Sequence, residues 1–223
     1  MNVLHLLVKG EAGGIESLCR DYANYSSNKN VFAFLKGVDS VNAVKMKKSG
    51  HTVIELNYSS KKVIRVWKKL NKQIKLYSID VIVVHHASPI LYLFAWGLKL
   101  KNSYLKIVAY AHCEAEDMLS GSGKLSIKDK IIVNSFANSD KVIAISSAVR
   151  SSLIDCFGLQ ENKICVVHNG VDLSRFKSNY NCEMHNPIRL LYVGRLVKEK
   201  GVQNILFALS KLLEKNDNWS FDV

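Results

Sequence analysis

Seven short apolar runs rich in β-branched residues, separated by longer stretches of helical periodicity, set the strongest limit on how this chain folds. The runs are Val3 to Val8, Val31 to Lys36, Thr52 to Leu56, Val81 to His85, Lys106 to Tyr110, Lys141 to Ile145 and Ile164 to His168. Runs of this kind belong to strands buried on both faces, and helices between them supply the cover, so the pattern is that of an α/β protein with a parallel sheet. Helices fit over Gly14 to Ser26, Lys61 to Tyr77, Pro89 to Lys99, Ser126 to Ala137 and Ser147 to Phe157, with Gly158 terminating the last. Ligands of such sheets bind beyond the carboxyl ends of the strands, which directs attention to the loops after Val8, His85, Tyr110, Ile145 and His168.

The alternation breaks at a polar stretch, KSNYNCEMHNP from Lys177 to Pro187, and restarts with IRLLYVGRL, a helical run from about Gly201 to Leu213, and WSFDV. Residues 1–177 are read as a complete N-terminal domain, 178–187 as a linker and 188–223 as the first β-α-β of a second domain. At 223 residues the chain has room for one large domain and a fragment, and it stops at Val223 within or just after the second strand of the new unit. Units below roughly 40 residues rarely hold a core alone, so apolar surface is expected to stay uncovered there.

Lys and Arg number 31 against 19 Asp and Glu, a formal charge of +12 that calls for an anionic partner. Nucleic acid, anionic lipid and phosphorylated small molecules all meet that requirement. The chain shows no RRM, KH, zinc or helix-turn-helix signature, so nucleic acid ranks last and is not expected as a partner. Five scattered cysteines without a CxxC pair suggest neither a disulfide framework nor a zinc site, and fit a reducing cytoplasm. MNVLHLLVKG lacks a basic n-region and reads as a strand, and the most apolar helical stretch, Pro89 to Leu100, is too short to span a bilayer.

Five stretches carry candidate chemistry. KGEAGG, Lys9 to Gly14, joins the first strand to a helix: Gly13 and Gly14 let a backbone approach a ligand, and the helix N-terminus offers free amides, although a tight βα turn explains the glycines equally well. It matches neither GxGxxG nor GxxxxGK[ST]. In AYAHCEAEDM, His112 stands just past the fifth strand, where a side chain can reach a substrate; His85 and His86 hold the equivalent place after the fourth and compete with it. No HExxH-like spacing accompanies them, so no metal is expected. Ser146 and Ser147 open a helix and read first as an N-cap. Asn169 and Gly170 in VVHNGVDLSRF mark a turn before the domain boundary. In YVGRLVKEKGV, Arg195, Lys198 and Lys200 precede a helix start, an anchor for a diphosphate or, taken alone, a solvated basic turn.

In order and placement these segments resemble the retaining glycosyltransferases of family 4, whose GT-B fold sets two Rossmann-like domains facing each other. The resemblance extends over essentially the whole chain and is most specific in VVHNGVDLSRF and YVGRLVKEKGV. It implies a GT-B type arrangement, with a complete N-terminal Rossmann-like domain for the acceptor and the first β-α-β of a C-terminal Rossmann-like domain for the donor. By the same resemblance Gly13 and Gly14 lie near the donor phosphate and acceptor, His112 contacts the transferring sugar, and Arg195 and Lys200 hold the nucleotide diphosphate. The donor implied is a nucleotide-diphosphate sugar, the acceptor a glycan or lipid-linked molecule, with retention of configuration and no metal or other cofactor. Members of the family carry a full C-terminal domain with an E-x7-E element, which is missing here. Two readings stay open: a transferase of surface polysaccharide assembly or its N-terminal part, and an inactive remnant or acceptor- or membrane-binding module. A second polypeptide supplying the missing half is compatible with both.

KKVIRVWKKLNKQIKLYS holds Lys61, Lys62, Arg65, Lys68, Lys69, Lys72 and Lys75 without one acid, while Val63, Trp67, Leu70, Ile74 and Tyr77 recur at helical spacing. The stripe is expected to pack on the sheet. The opposite rim suits an anionic membrane at about 1 kcal/mol per cation, with Trp67 an interfacial anchor if it is not in the core. Peripheral attachment at the inner face of the cell membrane follows as the expected location.

Overall fold

The β-α alternation builds a doubly wound sheet. The computed structural model describes residues 1–10, 13–37, 40–121, 124–176, 187–213 and 218–223, and the chain divides into two compact units, Met1–Asp172 and Leu173–Val223. The expected boundary at residue 177 and all but the last residue of the expected linker lie outside the described residues.

In the first unit the strands are β1 (Asn2–Lys9), β2 (Lys29–Lys36), β3 (Thr52–Glu55), β4 (Val81–Val84), β5 (Lys106–Ala111), β6 (Lys141–Ala144) and β7 (Ile164–Val166). They form one sheet in the order β3-β2-β1-β4-β5-β6-β7, every pair parallel. The helices are α1 (Gly14–Tyr25), α2 (Val41–Lys48), α3 (Val63–Leu76), α4 (Pro89–Lys101), α5 (Ala115–Met118), α6 (Ile127–Asn138) and α7 (Ser147–Phe157). Because strand order reverses between β1 and β4, right-handed crossovers send α1 and α2 to one face and the later helices to the other. Two cores record this. Leu4 and Leu6 of β1 pack with α3, α4, α6 and α7 residues, whereas Leu7 joins Cys19 and Ala23 of α1 and Ala43 and Met46 of α2. The period-2 alternation therefore puts His5 on the α1 face, where it stacks on Phe32.

Local signals explain the start of α6 and both ends of α7. Ser126 caps α6 reciprocally with Asp129, and the Ser146 hydroxyl accepts from the Val149 amide at the start of α7. Gly158 ends α7 at φ 64°, its amide donating to the Ile154 carbonyl while Leu159 reaches back to that of Leu153. The eight-residue α2 is an element beyond those expected; only Asn42, Ala43 and Met46 are buried in it.

Helix α3 corrects the expected stripe by part of a turn. Its buried seam is Val66, Leu70 and Ile74, while Val63 is exposed and Tyr77 sits at the margin. Trp67 is half-buried against the core, fitted so closely to Gly97 of α4 that a Cβ there would stand 2.9 Å from the indole Nε1. The condition for Trp67 as a free interfacial anchor is therefore not met.

Helix α4 buries Leu91, Tyr92, Phe94, Ala95 and Leu98. The Tyr92 hydroxyl is fully enclosed without a hydrogen-bond partner among the described residues, and burial drives its pKa far up. An enclosed, unpaired hydroxyl is a net loss. Tyr92→Phe is expected to raise the unfolding free energy by about 1 kcal/mol, measured by urea denaturation; a fall of that size would show that the hydroxyl is satisfied in solution.

The second unit pairs β8 (Ile188–Leu191) with β9 (Trp219–Asp222) in parallel around α8 (Val202–Leu213). Leu209 is its one buried hydrophobic residue among those described, while Val193, Leu206 and Phe207 are exposed, matching the expected lack of cover. No helix among the described residues is long and apolar enough to cross a membrane.

Candidate functional site

The reversal of strand order opens a crevice at the carboxyl ends of β1 and β4, and chemistry-bearing residues collect on that rim. From β1 the chain turns through Gly10, where a Cβ would come within 2.6 Å of the Gly37 carbonyl and 2.7 Å of Ser40 Oγ, so that only glycine lets the two turns pass. Gly13 then serves as the N-cap of α1 with extended backbone. A Cβ at that position would lie 2.2 Å from Oε2 of Glu16, the far end of a side chain that would have to move aside. Gly14 faces open space. The Glu16 carboxylate thus folds back over the start of α1, a location where negative charge is favoured by the exposed amides. With an acid already in place, the turn suits a neutral, hydroxyl-bearing group better than a second anion.

His86, at the end of β4, faces Glu16 with Nε2 3.6 Å from Oε1. Burial nevertheless holds its pKa down to about 4, so the contact joins a carboxylate to a neutral imidazole at pH 7. Its Nδ1 is enclosed without a partner among the described residues.

Beside it runs a line of imidazoles. Nε2 of His112 lies 3.1 Å from Nδ1 of His85, Nε2 of His85 lies 2.9 Å from Nδ1 of His5, and Nε2 of His5 lies 3.1 Å from Oδ1 of Asn30. His5 and His85 are each 4% exposed, whereas His112 is half-buried and reaches the surface. The His112 ring lies flat on Tyr110 at 4.3 Å and 4°. Burial lowers the pKa of His5 and of His112 to about 4, and that of His85 well below 6.5 with help from its neighbouring histidines. All are neutral at pH 7. The adjacent Cys19 thiol is pushed up by burial and by Glu16, and is likewise uncharged.

His85 is therefore not a competitor of His112 but a layer beneath it. His5 and Asn30 escaped the motif reading, although one signal was visible: a histidine inside VLHLLV is a polar side chain in a strand that is otherwise wholly buried. Ser146 is occupied as a cap, and His168 Nδ1 donates to the Ile145 carbonyl. Among the described residues, no group of three His, Cys, Asp or Glu side chains is placed to hold a metal ion.

In the second unit, Tyr192 shapes the turn before α8: its hydroxyl donates to the Arg195 carbonyl and would meet a Cβ on Gly194 at 2.9 Å. Arg195 and Lys200 are exposed on that turn, and Gly201 at φ 72° leads into α8. No ion pair ties either cation to a described carboxylate. Gly13 and His112 thus share a rim of the first unit, while Arg195 and Lys200 share a turn of the second. The cations of α3 belong to neither, since α3 packs on the sheet face opposite α1.

A fully parallel sheet wound by helices on both faces, with its strand order reversing between β1 and β4, defines a Rossmann-like α/β unit. The family model for Glycosyltransferase Family 4 matches residues 12–175, and the chain belongs to that family. An uncharacterized glycosyltransferase of Methanocaldococcus jannaschii is 26% identical, with 88% of this chain and 55% of that protein covered. A glycogen synthase of Mycobacterium tuberculosis is 36% identical over 74 residues, 33% of this chain and 18% of that protein. Among solved structures, Anabaena HepE in complex with UDP and glucose superposes with a TM-score of 0.77 at 17% identity, over 99% of this chain and 60% of that one. The chain thus spans little more than half the length of these proteins at most. The likeness to HepE identifies the fold, a Rossmann-like unit of GT-B architecture.

Proposed function

We propose that the protein serves in transfer of a sugar from a nucleotide-diphosphate donor to a glycan or lipid-linked acceptor, with retention, in surface polysaccharide assembly. The observation that carries this reading is the pairing of Gly13 and His112 on the switch-point rim of a family 4 chain. HepE, solved with UDP and glucose, supports a uridine nucleotide as the first donor to try. In the reaction the bond from the anomeric carbon to the diphosphate breaks and a bond to the acceptor oxygen forms on the same face, the acceptor's proton leaving with the diphosphate. The chief demand is for positive charge at the departing diphosphate, which Arg195 and Lys200 meet. His112 contacts the sugar, and the turn at Gly13 and Gly14 takes hydroxyl groups of sugar or acceptor. The full chain is to be incubated with radiolabelled UDP-glucose and other common sugar nucleotides, with lipid extract as acceptor. Label in the lipid or glycan fraction is the expected outcome, and neither binding nor transfer with any donor would sink the reading.

The second part of the proposal places the chain against the inner face of the cell membrane. Lys61, Lys62, Arg65, Lys68 and Lys72 are exposed, and a surface groove is lined by Ser60, Lys61, Lys62, Ile64, Arg65 and Lys68. Lys69 is tied instead to the Glu55 carbonyl. At about 1 kcal/mol per cation near an anionic surface, four free cations suffice for salt-sensitive binding. Co-sedimentation with phosphatidylglycerol vesicles at low salt, lost at high salt and in the double variant Lys68→Glu, Lys72→Glu, is the expected result; equal absence of binding to anionic and neutral vesicles would end the idea.

A further inference from the structure

The three aligned imidazoles have only one consistent arrangement of protons. Nδ2 of Asn30 donates to the Asn28 carbonyl at 3.1 Å, and because a carbonyl oxygen only accepts, the amide is oriented with Oδ1 toward His5. That oxygen also only accepts, so Nε2 of His5 carries the proton. A neutral imidazole has a single N–H; Nδ1 of His5 is therefore bare, and the contact at 2.9 Å requires the proton on Nε2 of His85. The same step assigns the proton of the next contact, at 3.1 Å, to Nε2 of His112 and leaves His112 Nδ1 bare. Cys19 Sγ stands 3.6 Å from both ring nitrogens of His85 and does not distinguish between them. Tyr22 meets the edge of His5, Tyr110 stacks on His85 and His112, and Glu16 reaches His86. Burial keeps all three rings neutral, which the single-proton argument needs.

We propose that Asn30, His5 and His85 are positioning residues that lock His112 in its Nε2–H tautomer, so that Nδ1 meets the substrate as an acceptor selective for a hydroxyl group. This rests on the reading of His112 as a sugar contact. No described residue hydrogen-bonds His112 Nδ1, so the lone pair is available. A sugar hydroxyl can donate to it. A phosphate or carbonyl oxygen, having no proton to give, is refused, and the anionic part of a donor is thereby kept away from this end of the crevice.

The test is long-range proton–nitrogen correlation NMR on the full chain labelled with ¹⁵N-histidine, at about pH 7.5 and without sugar. His5, His85 and His112 should each show a pyrrole-type Nε2 and a pyridine-type Nδ1. His85→Phe keeps a ring against Tyr110 but removes the acceptor; His112 should then become a mixture of tautomers, while burial continues to hold its pKa down. Asn30→Ala removes the terminal acceptor with less disturbance to the core, and should release His5 in the same way. A proton on Nδ1 of His112 in the unsubstituted chain overturns the relay. So does a purely Nε2–H His112 in His85→Phe, or a purely Nε2–H His5 in Asn30→Ala. UDP-glucose added to the unsubstituted chain should shift His112 Nδ1 without changing its tautomer. An unmoved resonance would overturn the sugar contact while leaving the relay standing.

Discussion

Lowering the pH from 7 to 5 is expected to reduce the unfolding free energy by about 2 kcal/mol from His5 alone, with His85 adding to the loss. Burial puts the folded pKa of His5 near 4 and that of His85 well below 6.5, whereas both titrate near 6.5 when the chain is unfolded. The sign follows directly. Between those values the unfolded chain binds protons that the fold excludes, so stability is intact above pH 6.5 and is lost as pH falls toward 4. At pH 5 His5 has cost about 2 kcal/mol and His85 adds in the same direction, a large part of the roughly 5–15 kcal/mol that holds a domain together. His86 and His112 are lowered in the same direction and add to the loss. Asn30 beside His5 and Glu16 beside His86 offset only part of it, and the other faces of the rings meet Phe32, Tyr22, Tyr110, Cys19 and one another. Urea midpoints followed by far-UV circular dichroism at pH 7, 6 and 5 measure the effect; coincident curves would mean that the rings accept protons in place.

The double variant Arg195→Ala, Lys200→Ala is expected to bind UDP roughly 100-fold less tightly, on the proposed reading, with a similar or larger loss in transfer. Hydrogen bonds to charged groups contribute about 1.5–3 kcal/mol each, enough for tenfold or more per cation. Both side chains are exposed, so removal leaves the fold unstrained and circular dichroism unchanged. The deficit should also shrink at high salt, since screened charges lose their advantage. Calorimetric titration with UDP reads it, and equal affinity in the variant would move the diphosphate contact elsewhere.

Much of this was legible in the chain itself. Seven parallel strands follow from seven unbroken apolar runs, because burial on both faces leaves little choice of residue, and Gly158 and Ser146 marked their helix ends by local chemistry alone. The placement of His112 after β5 could be read for the same reason. What it rests on could not. His5 and Asn30 are brought to His85 by strand pairing, through contacts 80 and 25 residues apart in sequence. No local window holds them together. The seam of α3 was shifted because Val63 and Val66 are equally apolar, and only packing against the sheet decides between them. Glycines likewise look alike in sequence: Gly10 is demanded by the neighbouring turn, a side chain at Gly13 would displace a carboxylate, and Gly14 meets nothing.

The notch at Gly97 has a consequence for the basic helix. With Trp67 seated against it and Lys101 standing 5.2 Å from the centre of the indole, α3 cannot roll about its axis without unseating the ring. Its cations therefore stand on a fixed comb-like backbone about 20 Å long, each head swinging on its own flexible stem. A fluid layer of anionic headgroups can flow into register with such a comb, whereas a rigid polyanion must already share its repeat.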